Sequence, residues 1–166
     1  NLNLQNAVFD NANLSNTSFK NANIDGARFV FANLDNSNLL DRTDLSNINL
    51  AGTDLSNVSL KGKDLSGTML TGADLSGVIL IEVDLSDAII TGVDLSGKDL
   101  TGVILTGVDM SNMDLTGVIL TGVDMSGLDI NSSKLVGVDL SGKDLTRTIF
   151  NHANFAGADL EKSNLS

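Results

Sequence analysis

The chain has 166 residues, a formal net charge of −11, and no cysteine, proline, tryptophan or tyrosine. Its length suits one domain, and without cysteine it has no disulfide framework, thiolate nucleophile or thiolate metal site, which leaves the redox compartment open. The excess of acid, −2 over residues 1–41 and −9 over residues 42–166, disfavours direct binding to nucleic-acid phosphates.

From Leu4, Phe9, Leu14 and Phe19 onward, a large apolar residue recurs at every fifth position, ending at Phe150, Phe155, Leu160 and Leu165. That period fits neither the 2 of a strand nor the 3.6 of a helix. The opening Asn1-Leu2-Asn3-Leu4 already lies inside the repeat, so it does not read as a signal peptide. The run Val78, Ile79, Leu80, Ile81 is far short of a membrane span. The lack of an initiating methionine and the abrupt last residue, Ser166, lead us to expect a processed chain or a piece of a larger parent.

With the large apolar residue in slot 3 of five, residues 2–41 form eight units and residues 43–162 form twenty-four more. All 33 slot-3 positions are apolar, with Leu in 23. Slot 1 is mostly Ala, Val, Thr or Ser, and slot 2 is Asn early (Asn13, Asn23, Asn33) and Asp later (Asp44, Asp54, Asp64, Asp74). Slot 4 favours Ser and Thr, and slot 5 holds all sixteen glycines, which makes it the natural corner. Slots 1 and 3 share one side of an extended backbone and slot 2 points away. One unit cannot bury its apolar side alone, so many must stack into a solenoid.

Between Leu39 and Leu45 the spacing is six. This one-residue slip near 40–42 is assigned to Arg42, with Leu40 and Asp41 close alternatives, and is expected to be a bulge or enlarged corner. Phe9 and Phe29, twenty residues apart, should stack on one wall, and Phe150 and Phe155 fall on successive walls. Lys63, Lys98 and Lys143 occupy the inward slot 1. Their stems should line the wall while their amines snorkel toward Asp or backbone carbonyls.

The units Ala73-Asp74-Leu75-Ser76-Gly77 and Ala12-Asn13-Leu14-Ser15-Asn16 resemble the consensus of the pentapeptide repeat family, and nearly the whole of 1–166 conforms as a single domain. The resemblance implies an all-β fold, a right-handed quadrilateral β-helix of about eight coils, with slots 1 and 3 inward. At about 4.8 Å per coil the rod would be near 40 Å long. A leucine-rich-repeat arc is the poor second choice, because its spacing is not uniformly five.

Folded at period 20, the outward slot-2 residues sort into four columns. One reads Asp44, Asp64, Asp84, Ile104, Asp124, Asp144, and the opposite one Asp54, Asp74, Asp94, Asp114, Lys134. Such ladders are candidate acidic interaction faces, and mutual repulsion should raise and couple their carboxyl pKa values. The other columns carry Met69, Ile89, Asp109, Asp129, Ile149 and Ser59, Ile79, Asp99, Ile119, Asp139. Of these, Met69, Ile89, Ile79 and Ile119 are a candidate apolar contact strip.

Nothing reads as catalytic machinery. His152 sits alone in a corner slot, fourteen of the carboxylates are slot-2 Asp residues placed by the repeat, and a convex wall offers no pocket. No cofactor or specific metal is expected, because the glycines follow the five-residue period and neither a P-loop nor an EF-hand loop is present. The ends continue the repeat without a capping helix, so end-to-end association or further flanking segments are expected.

The expected function is a non-enzymatic scaffold or protein-binding rod, with a protein partner or self-association through ends or faces and no membrane contact. A soluble, cytoplasmic chain is the expectation. The alternative follows from the resemblance, since some family members mimic DNA in shape and charge and bind DNA gyrase or another type II topoisomerase, conferring quinolone resistance. This sequence departs from those members in having no long projecting loop and no recognisable terminal dimerisation helix. Ice or mineral binding through slot 4 is the least favoured reading, since columns such as Ser46, Ser66, Ser86, Thr106 mix residues and adjoin Asp.

Overall fold

Away from the slip near 40–42, the five-residue units fold the same way because their hydrogen bonds repeat. In the computed structural model, which describes residues 2–166, slots 4 and 5 form a tight turn closed by the slot-1 N–H donating to the slot-3 carbonyl, as from Ala73 to Leu70 at 2.8 Å. Slot 5 is the third residue of that turn. It takes positive φ, between 53° and 76°, at all sixteen glycines and at fifteen other residues from Asn6 to Lys162. A positive φ there is the mark of a type II turn, and glycine and asparagine fill the slot because they tolerate it.

Four turns close one coil, and the coils pair in parallel through single bridging residues in slot 2. Asp44 bridges Asp64, Asp64 bridges Asp84, and Met69 bridges Ile89. Three bonds per unit tie one coil to the next. Leu50 N–H donates to the Met69 carbonyl at 2.8 Å, Met69 N–H to the Ile48 carbonyl at 3.0 Å, and Gly52 N–H to the Thr71 carbonyl at 3.0 Å. The result is the all-β, right-handed quadrilateral β-helix of about eight coils.

Slots 1 and 3 build one continuous core from Phe19 to Leu145, with Leu50, Leu55, Leu60 and Leu65 fully buried. Phe9 stacks on Phe29 with ring centroids 5.2 Å apart, and Phe19 meets both edge-on at 6.0 and 5.6 Å. Phe150 and Phe155 meet edge-on at 6.0 Å across successive walls. Where slot 1 is polar and buried, it finds a slot-3 carbonyl one coil back. The hydroxyls of Thr68, Ser133 and Thr148 donate to the carbonyls of Leu45, Met110 and Met125 at 2.9, 2.7 and 2.7 Å. Each of these buried hydroxyls thus satisfies its own donor, whereas the Ser37 hydroxyl, in slot 1 just ahead of the slip, is enclosed without a hydrogen-bond partner.

Lys143 uses the same acceptor. Its amine reaches the carbonyls of Leu120 and Val123 at 2.5 and 3.1 Å while the side chain stays half-buried. Lys63 likewise reaches the carbonyl of Arg42 at 2.8 Å. Burial lowers the Lys143 pKa, an effect opposed by Asp139 and Asp124.

The slip is a bulge divided between two residues. Toward the preceding coil Arg42 acts as slot 1: its N–H closes the turn on Leu39 at 3.2 Å, and its guanidinium reaches the Phe19 and Ala22 carbonyls at 3.3 and 3.0 Å. Toward the following coil Thr43 acts as slot 1, accepting the Asp64 N–H at 2.9 Å. Two residues thus stand where neighbouring coils have one. The corner at Asp41 lacks the positive φ of the other slot-5 residues, and the Asn38 side chain, in place of a backbone carbonyl, accepts the Phe19 N–H at 2.6 Å. Leu39 and Leu45 remain buried on either side, so the inward and outward roles survive the extra residue.

Candidate interaction faces

The walls present slot 2 outward, and the first wall carries Asp44, Asp64, Asp84, Ile104, Asp124 and Asp144 in the expected vertical order. The third wall, opposite it, carries Asp54, Asp74, Asp94 and Asp114, closed by Lys134, whose ammonium pairs with Asp114 at 3.1 Å.

At five ladder carboxylates the expected rise of the pKa is overturned. Asp44, Asp74, Asp94, Asp114 and Asp124 on these walls, and Asp99, Asp109 and Asp139 on the other two, are all held below the ordinary carboxylate value. The cause is local. Each slot-2 carboxylate folds back to accept hydrogen bonds from slot 4, as where Ser96 gives Asp94 its hydroxyl at 2.7 Å and its N–H at 2.9 Å. The repulsion of Asp114 at Asp94 is present but smaller. At Asp114 the Thr116 hydroxyl and N–H, aided by Lys134, bring the value to about 2. Hydrogen bonds to the charged form outweigh a neighbouring like charge screened by water.

The early coils make the same bond with an uncharged acceptor. Asn13 and Asn33 receive the N–H of Ser15 and Asp35 at 3.1 and 2.9 Å. The change from Asn to Asp along the chain therefore keeps the local structure and alters only the surface charge.

The four residues of the candidate apolar strip do not form one strip. Met69 and Ile89 adjoin each other on the second wall. Ile79 and Ile119 lie on the fourth wall, where Asp99 bridges Ile119 and separates it from Ile79 in the column. Ile79, Ile89 and Ile119 are each about half exposed, at 47 to 48%.

Phe31 escaped the reading by columns. It is the one apolar residue in slot 5, it is 65% exposed, and it holds φ at 53°, a conformation that bulky side chains rarely adopt. Its place in a slot otherwise filled by glycine and polar residues was the available signal.

No helix among the described residues is long and apolar enough to cross a membrane. The trypsin-treated forms of two QnrB1 variants, described as a plasmid-mediated fluoroquinolone resistance protein, share the fold. One has a TM-score of 0.60 at 15% identity, covering 99% of this chain and 70% of that one. The other has a TM-score of 0.52 at 18% identity, covering 99% and 84%. No curated protein sequence matches the chain. The family profile described as "Pentapeptide repeats (8 copies)" matches residues 3–39, 40–77, 64–97, 99–131 and 129–166. With slot, turn and coil all in agreement along that span, the chain belongs to the pentapeptide repeat family.

Proposed function

We propose that the chain is a non-enzymatic scaffold rod that binds a partner protein through its acidic walls. The observation that carries this reading is the fixing of ionised carboxylates at one-coil intervals by slot-4 hydrogen bonds, as at Asp74, Asp94 and Asp114. Charges already held in place lose little freedom on binding, and a wall of one sign steers a basic partner and selects against acidic ones. Met69 and Ile89 supply an adjoining apolar pair for a partner or a second copy. His152, the one histidine, lies exposed at a corner, which supports a binding role over a catalytic one.

A second reading is a DNA mimic directed at a type II topoisomerase. It is favoured by the two opposed acidic walls and by the family membership, the likeness to QnrB1 bearing on the fold alone.

Two experiments separate the readings. Protein captured by the tagged chain at low salt is compared with that captured by the D74K/D94K/D114K variant. A partner lost on charge reversal and at high salt supports acidic-wall binding, and a partner retained by the variant overturns it. A DNA gyrase supercoiling assay tests the second reading, with inhibition or protection at stoichiometric concentration expected for a mimic and no binding at low salt removing it. Self-association through Met69 and Ile89 predicts a loss of mass in sedimentation for M69D/I89D, and an unchanged mass counts against it.

A further inference from the structure

Phe31 lies at the corner between the second and third walls, beside the upper end of the acidic column that begins at Asp54. The Cδ1–Cε1–Cζ edge of its ring rests over Gly52 of the next coil, where an added Cβ would come within 2.0 to 2.7 Å of those atoms. Glycine at 52 thus gives the ring its seat. Phe31 also lines a depression together with Ala32, Asn33, Asp35, Gly52 and Asp54. Asp35 and Asp54 are exposed, and among the described residues neither takes part in a salt bridge. Asp54 accepts the Ser56 N–H through Oδ1 at 2.8 Å, which leaves its second oxygen toward solvent. Lys63, which lines an adjoining depression with both carboxylates, turns its amine to the Arg42 carbonyl.

We propose that Phe31, Asp35 and Asp54 form a receptor for a guanidinium group, an arginine side chain of the partner protein. This rests on the reading that the acidic walls bind a basic protein, and it names where that partner is anchored. A planar guanidinium stacks on an aromatic ring while its forked donors meet carboxylates, whereas an ammonium is a compact point charge. An aliphatic side chain would leave both carboxylates facing it without a counter-charge. Asparagine already fills slot 5 at Asn6, Asn47 and Asn57 with positive φ, so F31N is a substitution that the backbone accepts.

The test is an NMR titration at low salt with an acetylated, amidated five-residue peptide holding one arginine at its centre, and with its lysine and norleucine counterparts. The Phe31 ring signal is identified by its loss in F31N. The expected result is a saturable shift of that signal with the arginine peptide, a weaker one with lysine and none with norleucine. Affinity, read in every variant from the backbone amide signals of Gly52 and Asp54, should fall about two- to fivefold in F31N and further in D35N/D54N. A norleucine peptide that shifts Phe31 as strongly overturns the proposal in favour of an apolar socket. Arginine-peptide binding unchanged by F31N overturns it in favour of diffuse charge attraction. The D74K/D94K/D114K variant should keep the Phe31 titration, so loss of the titration with an intact charge dependence of partner capture is a failure of this site alone.

Discussion

Lys63 donates from Nζ to the carbonyl oxygen of Arg42 at 2.8 Å, one coil after Arg42 itself donates to the Ala22 carbonyl at 3.0 Å. Two cations therefore succeed each other on one inner wall, each held by backbone carbonyl rather than carboxylate, and the first of them is itself one of the two bulge residues. Deleting Thr43 restores the five-residue period and leaves Arg42 in slot 1, so it should be tolerated with little change in the urea midpoint. Arg42→Ala should instead cost about 1 to 2 kcal/mol, toward the low end for charged hydrogen bonds because the side chain is half exposed. Comparing the two unfolding curves checks the division of the bulge.

Phe31→Asn should raise stability by about 1 kcal/mol, since asparagine tolerates the left-handed region that costs a bulky residue roughly 1 to 2 kcal/mol. A fall in the urea midpoint would mean that the ring's seat on Gly52 outweighs the backbone strain.

Stability should depend on acid through the slot-2 carboxylates. A carboxyl whose folded pKa lies below its unfolded value near 3.9 stabilises fully above that value and loses the effect as pH falls toward the folded one. The downward displacement at Asp44, Asp94 and Asp124, and to about 2 at Asp114, places the loss between roughly pH 4 and pH 2. Urea midpoints should be level at higher pH and drop across that window. Asp94→Asn, which keeps an acceptor for the Ser96 N–H as Asn33 does for Asp35, should flatten the drop. A midpoint that rises on acidification would show that repulsion along the ladder governs instead.

Replacing Lys143 by valine, the residue found in slot 1 at Val83, Val93 and Val123, should leave stability unchanged or raise it by about 1 kcal/mol. The variant removes the desolvation of a half-buried ammonium, at the expense of its two carbonyl contacts. Thermal unfolding of the two chains measures the sign.

The aromatic cluster should show a gradient toward the end of the rod. Phe29 is fully buried and Phe9 is only partly so. Phe29→Ala should therefore cost about 3 to 5 kcal/mol, and Phe9→Ala clearly less, as read from chemical denaturation.

Much of this architecture is legible in the sequence because slots 1 and 3 carry it redundantly. The stacking of Phe9 on Phe29 follows from their separation alone, and the bonding of the Lys63 and Lys143 amines to backbone carbonyls follows from the cost of burying an unpaired ammonium. The direction of the carboxyl pKa values is not visible in the columns. Counting Asp74, Asp94 and Asp114 as neighbours one coil apart captures their repulsion and misses the Ser or Thr two residues on, whose hydrogen bonds reverse the sign. The bulge could be placed within a few residues, but its sharing between Arg42 and Thr43 depends on which coil each carbonyl and donor faces. Phe31 is hidden in the slot pattern because the glycines of slot 5 mark it as a corner, and the exception lies in the one apolar side chain that breaks that pattern.

The bridging of residues twenty apart, one slot-2 position per wall, makes the rod an indexing device. Duplicating or losing twenty residues adds or removes a storey and leaves every later wall facing the same way. Duplicating or losing five turns all later walls by a quarter revolution, with each side chain still in its inward or outward role. A single such event near residue 80 would carry Asp114 and Lys134 round to another face without disturbing one turn or one core contact farther along. The surface of this chain can therefore be re-aimed by recombination in steps of one unit, while point substitution at slot 2 tunes the charge that each face displays.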